Sequence, residues 1–494
     1  MPMAHDGASS KGASRATLVT TCVALTLMVV LFVCGLLTHH APAGDGHEAA
    51  DAHATLPRLW PVGILPFVLL LGAIAVLPLI SRAAHWWHQN RNKFAVAVAL
   101  AALTCLYLVG IEGPHAATVA IEHGIFMEFV PFIVLLFSLY VVAGGISVTG
   151  DLPAHPWTNT AILSIGAAIA SIVGTTGASM LLIRPLLQTN AERRRVAHTV
   201  IFFIFVVSNA GGLLLPVGDP PLFLGYLHGV PFLWTLTMWR EWLFMCVALL
   251  VVHPPPDEWM WRHERPADRQ RDDAIRVPIR VRGLINFVWL ALVVLAVALI
   301  DPRRPLPGTT WYPWPFLREG VMLLLTGLSL LTTPAGVRAE NRFSYGAILE
   351  VAALFCGIFI TMQVPLAVLQ VAGPSLGLRE PTSFFWLTGI LSSMLDNAPT
   401  YEVFFQTAVT VTDPALVGAI PVDRGLIDPM LLRAVSLGAV LMGANTYIGN
   451  GPNFMVKSIA EQAGVRMPSF FGYMIWSVIF LVPLFVVVNI LFLR

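Results

Sequence analysis

Two apolar stretches of this chain are interrupted where a membrane-crossing helix should run unbroken. Residues 207–225 read VSNAGGLLLPVGDPPLFLG, and residues 442–458 read MGANTYIGNGPNFMVKS. Each follows a second apolar segment with a polar centre, 171–187 and 391–405. In hydrocarbon an unsatisfied backbone group is costly, so irregular backbone survives there only inside protein or along a cavity. Paired breaks at corresponding places in two halves point to inverted repeats around a shared site. The breaks put Asp219, Asp396, Asn209 and Asn445 at membrane depth, where polar side chains are usually functional.

Composition agrees. The 494 residues are 56% hydrophobic and 12% charged, half the charge of a soluble chain, which carries about 25%. The chain reads as an integral membrane protein with the lipid bilayer as its partner. A net charge of +1 and the lack of a basic run give no sign of nucleic acid. The five cysteines form no CxxC pair, so neither a disulfide framework nor a thiolate metal site is implied. No cofactor is expected beyond transported ions.

A span needs about 20 apolar residues. Eleven segments qualify: 17–37, 61–80, 94–111, 126–148, 199–225, 238–253, 284–301, 318–333, 345–370, 430–456 and 468–492. Residues 1–16 are expected to be disordered, and 17–37 to be a retained extra transmembrane helix, with cleavage near Ala41 or Ala43 as the alternative. Segments 159–189 and 382–410 differ, with small and polar residues at their centres. Split into two arms of about 15 residues, each arm reaches about 22 Å, short of a core of about 30 Å. They read as re-entrant hairpins.

This gives an all-α membrane fold of about 11 transmembrane helices with two re-entrant hairpins in two inverted repeats. The first repeat is 61–253, with hairpin 159–189 and broken helix 199–225. The second is 284–492, with hairpin 382–410 and broken helix 430–456. Residues 254–283 form a cytoplasmic linker. With a cytoplasmic N-terminus and periplasmic C-terminus, 19 of the 29 Lys and Arg lie inside, in line with the positive-inside rule.

The first hairpin tip, SIVGTTGAS at 171–179, offers Thr175 and Thr176 hydroxyls, and the break beyond it offers Ser208, Asn209, Gly211 and Gly212. Glycines permit the tight turns. Oxygen donors of this kind suit a hard cation, while helix N-termini at the same place suit an anion. The second half carries Asp396 and Asn397 on the hairpin and Asn445 and Thr446 at the break. Thr176, Ser208, Asn209 and Asp396 are the sodium candidates. Asp219 in PVGDPP reads either as a coupling acid or as a helix N-cap, and Asp396 either as its partner or as a capped turn. Glu350 is a candidate for coupling. Arg184 reads as a snorkelling surface residue or as a contact for a bound carboxylate. The His39–His53 region reads as a disordered external loop, since its spacing matches no closed metal site.

At these residues the chain resembles the ion transporter superfamily, and within it the NhaD-type sodium/proton antiporter and citrate transporter branch. SNAGGLLLPVGDPP, LDNAP at 395–399 and GTTGASMLLIRPLL at 174–187 carry the likeness, which covers roughly residues 60–492. It implies an elevator-type homodimer with a scaffold and a transport domain holding the hairpins and broken helices, and it matches Asp219 and Asp396 to acidic positions that serve cation exchange. The second half departs from the pattern, with GANT at 443–446 where a serine-led signature is expected.

The expectation is a secondary transporter of the bacterial inner membrane, not an enzyme, exchanging protons for sodium ions. The alternative is a sodium- or proton-coupled citrate or dicarboxylate transporter. An intramembrane enzyme using Asp219 and Asp396 as an acid pair would need the two acids about one water apart and a nucleophile or metal nearby, and no HExxH or GxSxG motif supports that reading.

Overall fold

The computed structural model describes residues 56–494 apart from 275, 276, 335 and 342. The expected segments 1–16 and 17–37, and nearly all of the histidine loop, lie outside the described residues. What is described is almost wholly helical, with two short strand pairs.

Six described helices are long and apolar enough to cross a membrane: Asn90–Ile111, Pro114–Gly144, Pro156–Val173, Ala197–Leu214, Phe232–Arg262 and Phe470–Phe492. A seventh is reached if Gly346–Thr361 and Gln363–Leu376, bent by 42°, form one span. The protein is a multi-pass membrane protein, but helix length does not reproduce eleven spans. Trp60–Val76, Ile285–Leu299, Leu317–Thr332 and Pro429–Met442 have 17, 15, 16 and 14 residues. At 1.5 Å per residue these reach only about 21–26 Å.

The two segments read as hairpins are pairs of packed helices. Pro156–Val173 and Thr175–Thr189 meet at Gly174. Gly174 has φ +79°, and a Cβ there would come within 3.3 Å of the Val217 carbonyl oxygen, so the position calls for glycine. Pro381–Met394 and Asn397–Val411 meet at Leu395–Asp396. The expected arm of about 15 residues is too short for the first helix. Pro156 sits in its first turn, where a missing N–H costs nothing, and nothing interrupts the 18 residues before Gly174. That arm is therefore span-length by itself.

Each pair packs against a broken helix. Pro156–Val173 lies against the turn Ala210–Leu214, and Pro381–Met394 lies along Pro429–Met442. The breaks are two matching knots of glycine. A Cβ on Gly218 would sit 2.1 Å from the Gly212 carbonyl oxygen, and one on Gly449 would sit 2.5 Å from that of Gly443. Elsewhere Asn90–Ile111 packs against Gly346–Thr361, and Val130–Gly144 against Leu317–Thr332.

The segment 254–283 is not a featureless linker. Pro254–Arg262 continues from Trp239–Val252, a helix follows at Pro266–Ala274, and strand Val277–Arg282 pairs antiparallel with Ser147–Asp151. Its anchor is Asp257, fully buried. The Asp257 carboxylate accepts from Arg193 at 2.5 Å and Asn159 at 2.9 Å and lies 2.8 Å from His198 Nε2. A buried carboxylate needs such partners. They tie the connection to the first helix pair and the first broken helix, so prolines and mixed charge here encode structure rather than slack chain.

Candidate functional site

Four helices begin at one place: Thr175–Thr189, Pro220–Leu227, Asn397–Val411 and Gly451–Gln462. Their first residues meet through side chains. Asp219 lies just before Pro220, is buried, and stands at the N-cap position, yet its side chain makes no capping bond. It accepts instead from Thr175 Oγ1 at 2.9 Å, Asn397 Nδ2 at 2.6 Å and Asn450 Nδ2 at 3.1 Å. One carboxylate thus gathers a hydroxyl and two amides from both halves of the chain, and none of these partners is cationic. Each helix N-terminus adds about half a positive charge. The centre favours negative charge through dipoles and amides alone.

Around Asp219 the backbone is locked. Thr175 N donates to Gly218 O at 2.8 Å. A Cβ on Gly212 would meet Thr175 Cγ2 at 2.6 Å. Ser171 Oγ donates to Gly211 O at 2.6 Å and accepts from Leu214 N at 3.0 Å. In the second half Ser393 Oγ accepts from Asn445 Nδ2 at 2.9 Å, while its own proton is shared between Gly389 O on its own helix at 2.7 Å and Met442 O at 3.1 Å. Thr446 Oγ1 donates to Ser393 O at 2.6 Å. One serine in each helix pair therefore staples that pair to the broken helix it faces.

The sequence candidates separate into groups. Thr175, Asp219 and Asn397 share direct contacts, and Gly212 packs on Thr175. Asn209 joins by accepting from Asn450 Nδ2 at 3.2 Å, and its own Nδ2 donates to Asn453 Oδ1 at 2.8 Å. Ser208 lies 2.8 Å from Ser179, oxygen to oxygen, and its carbonyl accepts from Asn450 at 3.1 Å. Asn445 and Thr446 serve the staple. Gly211 contributes its carbonyl. Asp396 behaves as a cap, its carboxylate accepting from Ala398 N at 3.2 Å. Thr176 is half-buried, one residue off the face that touches Asp219. Glu350 pairs with Lys93 at 2.6 Å on the neighbouring long helix. Arg184 lies toward the other end of its helix, in the wall of a wide cavity.

Asn450 and Asn453 are absent from the sequence reading. Gly443, Gly449 and Asn450 repeat the spacing of Gly212, Gly218 and Asp219, and IGNGP echoes VGDPP. Aligning the two breaks on these glycine pairs would have found Asn450. Two buried oxygens, Asn397 Oδ1 at the centre and Asn445 Oδ1 beside the Ser393 staple, have no hydrogen-bond donor among the described residues, and both are of the kind that ligates a hard cation.

No curated protein matches the chain. A family model described as putative citrate transport matches residues 55–493, nearly the whole length. The chain therefore belongs to that transport family.

Proposed function

We propose that the protein is a secondary transporter that moves a citrate-like di- or tricarboxylate coupled to sodium ions or protons, with Asp219 as the coupling acid. The observation that carries this is the sharing of Asp219 by Thr175, Asn397 and Asn450 at four converging helix N-termini. While Asp219 is ionised, it occupies the donors and the dipole field itself. A proton or sodium ion on Asp219 neutralises that charge, and the same donors become available to a carboxylate of the cargo. Cation and cargo would then bind in mutual support, which is the thermodynamic requirement for symport. Asn397 Oδ1 supplies a further oxygen for sodium. The family match supports the carboxylate as cargo.

A second reading, sodium/proton exchange, is favoured by one observation: the partners of Asp219 include no cationic side chain to hold an anion. Here a proton and a sodium ion would compete for Asp219. Under either reading the packed helix pairs would be re-entrant elements of a transport domain moving against a scaffold, in a homodimer. The Lys and Arg distribution supports a cytoplasmic N-terminus and a periplasmic C-terminus in the bacterial inner membrane proposed for this chain.

Purified protein in proteoliposomes decides between them. Labelled citrate should accumulate when an inward sodium or proton gradient is imposed. Proton movement on adding sodium alone, with no citrate uptake under any gradient, would replace the first reading by the second.

A further inference from the structure

Two of the helices that start at the Asp219 centre also meet at a second buried acid. Pro220–Leu227 begins beside Asp219 and is followed by His228, and Asn397–Val411 carries Glu402. At 1.5 Å per residue, His228 stands about 14 Å from Asp219 and Glu402 about 8 Å from Asn397 along these helices. Glu402 is fully buried and His228 is 4% exposed. His228 Nε2 lies 2.9 Å from Glu402 Oε2, and Gln406 Nε2 donates to Glu402 Oε1 at 3.0 Å. The imidazole stacks on Phe405, with 5.4 Å between ring centres. Its other nitrogen, Nδ1, lies 3.8 Å from Asp423 Oδ2, on a side chain that is 45% exposed. One ring nitrogen thus faces a buried acid and the other an acid open to water.

The water-facing side has a direction. Asp423 N donates to His228 O at 2.9 Å, and Arg303 pairs with Asp423 at 2.7 Å. These contacts join connections 226–237, 302–317 and 411–429, which the proposed topology puts together on the periplasmic face, opposite to 254–283. Three acids face the ring. Glu402 and Asp423 flank it, and Glu128, 3.0 Å from His123 on the segment His123–Phe129, acts on it across the packing. The cations bear on those acids: Arg303 and His123 on Asp423, and Arg424 on Glu402. Tyr401 turns its hydroxyl to Gly225, and Arg318, against the same short helix, is held by Glu319 at 2.6 Å.

With the imidazole neutral, Glu402 is a buried carboxylate served by an amide and a neutral ring, which is costly. A proton on the ring makes a hydrogen-bonded ion pair, and an opposite charge within about 4–6 Å favours that charged form. The proton belongs to the pair rather than to either residue. Glu402 rides on the second helix pair, whereas His228 ends the first broken helix. Moving these elements apart leaves a buried imidazole, whose charged form is disfavoured. The site therefore holds a proton when closed and gives it up when opened.

We infer that His228 and Glu402 bind a second coupling proton, loaded from the periplasmic face through Asp423 and carried separately from the cation on Asp219. On loading, Asp423 passes a proton from water to Nδ1 while the Nε2 proton stays on Glu402, so the ring gains one positive charge. On opening, the ring returns one proton to water and is neutral again. A di- or tricarboxylate carries more negative charge than one cation on Asp219 can offset, and this site supplies the second. The inference rests on the carboxylate reading for the identity of the cargo.

The test counts protons per labelled citrate taken up by the full chain in proteoliposomes, using a trapped pH dye. His228→Gln/Glu402→Gln keeps an uncharged hydrogen-bonding pair in the same space. It should still accumulate citrate, with about one proton fewer per citrate and correspondingly more net negative charge moved. A wild-type proton count in this variant would overturn the inference. Should the double variant prove unstable or inactive, Asp423→Asn decides. It removes a half-exposed acid whose surface pair folding tolerates, and it should move the pH optimum of uptake acidward by about one unit. An unmoved optimum overturns the inference. Citrate uptake by wild type without proton movement also overturns it and leaves the carboxylate reading standing. If wild type takes up no citrate but exchanges sodium for protons, the carboxylate reading falls. The same variants are then scored by protons per sodium, where a count lowered by about one keeps the site and an unchanged count removes it.

Discussion

Asp219→Asn isolates the charge at the centre from its packing. The carboxylate accepts three hydrogen bonds, from Thr175 at 2.9 Å, Asn397 at 2.6 Å and Asn450 at 3.1 Å. An asparagine keeps the shape but turns one acceptor into a donor. The mismatch can be absorbed at Asn397, whose Oδ1 has no donor. Rotating that amide presents an acceptor to the new NH₂ group. All three contacts then persist as neutral bonds, at a stability cost of about 1 kcal/mol. Asp219→Ala instead strands three buried donors at about 1–3 kcal/mol each, so a loss on the order of 3 kcal/mol or more is expected. Transport should behave differently. Removing the charged contact to a cation forfeits about 3 kcal/mol, equivalent to roughly hundredfold in coupled flux. Paired measurements of melting temperature and gradient-driven uptake in proteoliposomes check this. Asp219→Asn should be stable and inactive. Coupled uptake at the wild-type rate in a stable Asp219→Asn protein would refute Asp219 as the coupling acid.

Three further outcomes follow from the geometry. Gly218→Ala places a Cβ 2.1 Å from the Gly212 backbone oxygen, which no side-chain rotation relieves, so a loss of about 1–3 kcal/mol is expected. Gly72→Ala has nothing within 4 Å and should be neutral or slightly stabilising; equal melting temperatures for the two variants would contradict the close approach. Asp257→Ala leaves Arg193 buried without its acid and should cost about 3–5 kcal/mol, with part recovered in Asp257→Ala/Arg193→Met; no recovery would argue against the ion pair as the anchor of 254–283. On the strand Ser147–Asp151, burial first and then the Glu192 and Asp272 carboxylates push the Asp151 carboxyl above its usual range. Ionising Asp151 in the folded protein therefore costs stability as pH rises past the ordinary aspartate range. Asp151→Asn should raise the melting temperature at pH 7 and give no gain near pH 3, and equal gains at both would remove the electrostatic explanation.

Much of the candidate site was legible because breaks in apolar segments are rare and visible. Thr175, Asn209, Gly212, Asp219 and Asn397 all stand out as polar or glycine residues in hydrocarbon-like sequence, and all meet at the centre. Asn450 did not stand out. It lies just beyond the GANT turn, where attention to the first polar residues of the break selects Asn445 and Thr446. Those two fall on the face that binds Ser393. Thr176 is a miss of another kind. Adjacent residues on a helix point about 100° apart, so only one hydroxyl of the Thr175-Thr176 pair can face Asp219.

By itself the sequence determined that this chain lives in a membrane and that two of its apolar stretches carry a glycine-rich break with an Asp or Asn beyond it. Hydropathy and glycine placement are local properties, and one dimension suffices to read them. Which donors close on which carboxylate was decided by tertiary structure alone. The partners of Asp219 come from three other helix starts, two of them in the opposite half of the chain. The same holds for the split between Asp219, spent on the other half, and Asp396, spent on its own helix as a cap. A carboxylate is satisfied by whatever donors the fold brings within about 3 Å, and that distance is a property of packing between halves.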